Sequence, residues 1–116
     1  MKPLDEELVV EEIFDKIKKV FPDVTTPDIG NVHFIESFRF DGLANIYHIK
    51  LNLSMFEDIS IQNKRLVHVV LHELVHYNGF MHHKESFYNK LEILERGWSE
   101  AYEELTTNNK TSVEGE

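Results

Sequence analysis

The 116-residue chain contains no cysteine. Disulfides and thiolate metal sites are therefore excluded, and any bound metal must be held by histidine and carboxylate. Basic clusters are also missing. Twelve Lys and Arg stand against 21 Asp and Glu, a formal charge of −9. Proteins that bind polyanions draw affinity from clustered Lys and Arg, so no nucleic-acid partner is expected. Long apolar runs are absent too: nothing approaches the roughly 20 residues of a membrane span. The opening "MKPLDEELVVEE" lacks the apolar stretch of a secretory signal. These absences lead to the expectation of a cytoplasmic protein with no membrane partner. What is present suffices for one modest core: 41% hydrophobic residues, with eight Phe and four Tyr. One domain over 1–116 is the natural expectation.

Periodicity divides the chain. In 1–30, Val9, Val10, Ile13, Phe14, Ile17, Val20 and Phe21 recur at helical spacing. Acidic residues stand at the start of this helix and lysines near its end, and Pro22 stops it. Segment 31–53 reads as two strands, "NVHFIESFRF" and "NIYHIKLNL", paired antiparallel around an Asp41-Gly42 turn. Asp58 and Ser60 are candidate N-caps for the next helix, 61–78, where Leu66, Val67, Val70, Leu71, Leu74 and Val75 return to helical spacing. Gly79 suits its C-terminus. A further helical part, 84–106, carries Phe87, Leu91 and Leu94 on one stripe, with Gly97 expected to end or bend it. Trp98 is expected to pack this part onto the body. The polar stretch 107–116 reads as a frayed tail.

Five of the seven histidines fall between His68 and Leu91, in "HVVLHELVHYNGFMHHKESFYNKL". On a helix, residues four apart share a face, so His72 and His76 can turn their rings toward one ion at about 2.0–2.1 Å. Glu73 is rotated about 100° from that face. It is poorly placed as a ligand but well placed as a general base toward a water on the ion. His-Glu-x-x-His is thus the pattern that metal-assisted hydrolysis requires, and Zn²⁺ is the expected cofactor. His68 shares the stripe, with a supporting or packing role. His33 and His48 fall on strands. Tyr47 and Tyr77 are possible oxyanion donors, though core packing is the commoner role for such tyrosines.

Three residues compete as third ligand. His82, with Gly79, completes the longer metzincin spacing. His83 stands four before Phe87, at the start of the stripe that Phe87 and Leu91 continue. Glu100, in "WSEAYEEL", stands where gluzincins have a Glu ligand. "NLSMF" followed by "VVLHELVHYNGFMHHKESFYNKLEIL" resembles the SprT-like peptidases and their small relatives of the Spartan and WLM types, over roughly residues 45 to 95. The resemblance implies a minimal zincin domain of α+β class and a third ligand from the His-x-x-x-Phe element, here His83. It further implies hydrolysis of peptide or protein substrates, with an extended substrate pairing at the edge of "NIYHIKLNL". Two departures stand out: His83 lies seven residues after His76, where several small relatives have six, and the basic DNA-binding elements of the larger members are missing.

Overall fold

Helix α1 (Lys2–Val20) buries Val10, Ile13, Phe14 and Ile17 and leaves Glu7, Glu11, Asp15 and Lys19 in solvent, as its periodicity requires. The structure is a computed structural model that describes residues 2–36, 42–54 and 56–114, with side chains from 6 to 102. After a short 3₁₀ turn at Ile29–Asn31 come three strands, β1 (Val32–Phe34), β2 (Gly42–Ala44) and β3 (Ile49–Leu51), then helices α2 (Lys64–Tyr77) and α3 (Glu85–Glu114). The described chain is a small α+β fold of three α-helices and a three-stranded mixed sheet.

The sheet differs from the expected antiparallel pair. Its order is β1-β3-β2: Val32 pairs with Ile49 in a parallel ladder, while Gly42 pairs with Leu51 in an antiparallel one. Asp41-Gly42 is therefore not the turn, because Gly42 is already in β2. The reversal lies at Asn45–His48, where the Asn45 side chain accepts from the backbone N–H of Tyr47 (2.8 Å) and His48 (3.0 Å). Such a side-chain clamp holds a reversal without a positive-φ residue. Tyr47 is consequently 70% exposed on that turn. Phe38 and Phe40, expected on a strand face, lie outside the described residues. Both edges of β3 are occupied, so "NIYHIKLNL" cannot offer one to a substrate; the end strands are β1 and β2.

Helix α2 starts later than expected, and Asn63 is its cap. The Asn63 side chain accepts from the N–H groups of Arg65 (3.1 Å) and Leu66 (3.3 Å). The two expected caps are occupied elsewhere, the Ser60 hydroxyl donating to Asp58 at 2.7 Å. Leu66, Val70, Leu71, Leu74 and Val75 are buried between the sheet on one side and α1 and α3 on the other.

Gly97 neither ends nor bends α3. It is buried inside the helix, and a Cβ there would stand 2.4 Å from the Phe21 ring, so the missing side chain lets α3 cross the end of α1. The one non-helical backbone inside α3 is at Tyr102 (φ −130°, ψ 20°), whose hydroxyl donates to the Lys16 carbonyl at 2.8 Å. Trp98 is buried and packs on the Tyr102 ring. Helical backbone continues to Glu114, through much of the stretch expected as a tail, with no Pro or Gly between 98 and 114 to interrupt it. No helix among the described residues is long and apolar enough to cross a membrane.

Candidate metal centre

The last two turns of α2 and the loop after it gather three imidazoles. His72, His76 and His83 each present one ring nitrogen, all within 4.8 Å of one another. The Nε2 atom of His83 lies 3.2 Å from Nε2 of His72 and 3.1 Å from Nε2 of His76. Three ligands at about 2.0–2.1 Å in tetrahedral array stand roughly 3.3 Å apart, so the observed spacing fits a single small cation.

The donor chemistry points the same way. Nδ1 of His76 lies 2.7 Å from the Phe80 carbonyl, which can only accept, so Nδ1 carries the proton and Nε2 presents a lone pair. A hydrogen at Nε2 of His83 can serve one of its two neighbours well, not both. The remaining lone pairs would face each other, and a cation among them removes that repulsion. Metal-bound histidines characteristically donate their second nitrogen to such an acceptor, which sets tautomer and ring orientation.

That carbonyl is delivered by the end of α2. Phe80 N–H donates to the Val75 carbonyl (3.3 Å) and Gly79 N–H to that of His76 (2.9 Å), the two bonds of a Schellman motif. Gly79 adopts φ +105°, which side-chain-bearing residues rarely take. Asn78 ties the same turn to the α1–β1 loop, accepting from Thr25 N–H (2.8 Å) and donating to its carbonyl (2.9 Å). Below the cluster lies Phe87, fully buried on α3, its ring centroid 4.8, 4.5 and 4.9 Å from those of His72, His76 and His83. One ring from the next helix thus supports all three imidazoles.

Of the candidates for the third position, the structure brings only His83 to the pair. It stands in the loop just before α3 instead of in that helix's first turn. His82 is exposed and outside the cluster, as is Glu100 on α3. His68, one turn before His72, pairs its Nδ1 with the Glu95 carboxylate, and its ring centroid is 6.1 Å from that of His72. His33 and His48 meet edge to face away from the trio, and Tyr77 packs partly against the core. Glu73 follows His72 on α2, is only 5% exposed, and lies against Gly42 of β2.

Two contributors leave little mark in the sequence. The Phe80 carbonyl is backbone, and its only trace is the Asn78-Gly79 helix-end signal two residues earlier. Gly42, following Asp41, has the composition of a turn.

Burial lowers the proton affinity of His72 and His76. His72 is pushed down to about 4, first by desolvation and then by its neighbours His76, His83 and His68. His76 is also lowered, chiefly by desolvation, with the Phe80 carbonyl opposing and His83 adding to the shift. At neutral pH both rings are uncharged, as ligands must be. The unfolded chain takes up protons near pH 6.5, before the folded chain does. Metal-free protein should therefore lose stability as pH falls from about 6.5 toward 4. Melting followed in chelator between pH 7.5 and 5 should show this decline, and His72→Asn should make it shallower. An unchanged slope in that variant would contradict the assignment.

Comparison with protein-family models, with curated proteins and with solved structures yields no match to this chain.

Proposed function

We propose that this chain is a small zinc-dependent metallopeptidase in which His72, His76 and His83 hold the ion and Glu73 moves the proton. The observation carrying the reading is the convergence of three imidazole nitrogens, with a buried carboxylate at the next position of the same helix. Three nitrogen ligands leave a fourth position open, as catalytic zinc sites do, and a neutral imidazole set suits zinc among divalent ions. The resemblance of residues 45–95 to SprT-like peptidases supports the same conclusion. When bound, zinc would supply Lewis acidity, making water a better nucleophile near neutral pH and polarising the scissile carbonyl.

The chain's residues supply the rest. The Phe80 carbonyl and the Phe87 ring hold the ligand imidazoles in orientation. Glu73 takes a proton from the attacking water and returns it to the departing amine, so the carboxylate ends each cycle as it began. Of the two end strands, β2 is the one lying against Glu73, so an extended peptide substrate would pair along β2.

The test has two arms. Purified protein should carry zinc near one equivalent and cleave casein or a peptide library, with chelator abolishing turnover. His82→Ala, His83→Ala and Glu100→Ala are then titrated with zinc at fixed pH. The largest loss of affinity is expected in His83→Ala. If Glu100→Ala loses metal while His83→Ala retains it, the ligand set and the SprT-like reading are both wrong.

A further inference from the structure

Gly42 is the residue on which β2 meets the active-site helix. A Cβ built there would lie 2.6 Å from Cγ of Glu73, 2.7 Å from Oε2 and 2.8 Å from the carboxylate carbon. Real Cβ atoms essentially never come so close to other heavy atoms. Two reasons for glycine can be separated at this position. The described chain has a single positive-φ glycine, Gly79, so the backbone at 42 does not call for glycine. Space does: a side chain at 42 and the present position of the Glu73 side chain exclude each other.

The strand cannot easily yield. Gly42 is paired with Leu51 and Ala44 with Ile49 on the central strand, and Leu51 and Ile49 are both buried. The Glu73 end is the softer partner, because its carboxylate hangs on rotatable bonds while Cα belongs to the buried face of α2. A methyl group at 42 therefore displaces the carboxylate and leaves His72 and His76, on a different face of the helix, in place.

We infer that Gly42 is a positioning residue, whose missing side chain admits the Glu73 carboxylate beneath β2 and fixes where it stands on the turn of α2 that carries His72 and His76. The inference rests on the reading of Glu73 as the proton acceptor. A general base must sit within hydrogen-bond reach of the proton it takes, and a misplacement of about 1 Å can cost on the order of 10²-fold in rate.

Gly42→Ala tests this in the zinc-loaded full chain. Zinc stoichiometry and KM should stay near wild type while kcat falls at least about 10-fold. In a Glu73→Asp background, whose carboxylate is drawn back by one methylene, the same substitution should cost little further kcat. Unchanged kcat in Gly42→Ala overturns the inference, as does an equal fractional loss in both backgrounds. Melting provides an arm independent of activity. Gly42→Ala should lower the melting temperature when Glu73 is present and have a smaller effect, or none, when Glu73 is Ala, because the clashing atoms are gone. Equal shifts in both backgrounds overturn the contact. A wild-type protein without hydrolytic activity would refute the peptidase reading and with it any effect of Gly42 on turnover, while the melting cycle would still decide whether Gly42 seats Glu73.

Discussion

Glu73→Gln is expected to leave zinc content and melting near wild type while peptide hydrolysis falls at least about 10²-fold, a barrier increase of about 2.7 kcal/mol. The substitution nearly preserves shape. Gln keeps the Cγ and the branched end that lie against Gly42, so the packing beneath β2 survives. What changes is proton affinity: an amide does not take a proton from water at neutral pH. Glu73 is only 5% exposed and lies against Gly42 of β2, so its carboxylate stands inside the fold and not in solvent. Steady-state kinetics with metal analysis on the same sample decides the matter. Loss of zinc together with activity would make Glu73 a ligand, and undiminished activity would remove it from the chemistry.

His76→Ala should have the larger effect on the metal itself. The residue is 7% exposed, its Nδ1 donates to the Phe80 carbonyl, and its ring centroid lies 4.5 Å from that of Phe87. Truncation removes one of the three proposed ligands, strands the Phe80 carbonyl and opens a void over Phe87. Zinc affinity should drop by several kcal/mol, on the order of 10³-fold, in competition titration with a chelator. His68→Ala is the matched control. That residue shares the stripe but is exposed and bonded to Glu95, so its loss should leave zinc binding near wild type. Zinc retained at full stoichiometry in His76→Ala would dismantle the proposed centre.

The helical half of this arrangement was legible because a buried helix face writes itself into sequence every three or four residues. Leu66, Val70 and Leu74 disclosed α2, and with α2 came the shared face of His72 and His76. Phe87 disclosed the register of the next helix and so favoured His83 over His82. The sheet was less readable for a physical reason. Strands of three residues carry too short an alternation to name their partners, and nothing in Val32–Phe34 says that it runs parallel to Ile49–Leu51. Glycine also speaks ambiguously. Asp41-Gly42 has the composition of a hairpin turn, whereas the space taken by Glu73, thirty-one positions later, is what accounts for the glycine. Gly97 resembles a helix end because such glycines commonly are, and the Phe21 ring that explains it comes from just past the end of α1. Asn63 does not stand out as a cap because Asp58 and Ser60 have equally suitable chemistry.

The ligands and their supports are close neighbours in the chain: His72, His76, the Phe80 carbonyl, His83 and Phe87 all fall between positions 72 and 87. Closing so short a loop costs little chain entropy, and contacts of low sequence separation form early when a protein folds. The seat of Glu73 has the opposite character, since it depends on β2 and hence on a sheet whose strands are gathered across the first half of the molecule. On the proposed reading, capture of an ion and alignment of the base would therefore be governed by contacts of different range. A nascent or partly folded chain can assemble the imidazole trio before the strand against Glu73 has docked, so on the proposed reading it would hold a metal before it could cut.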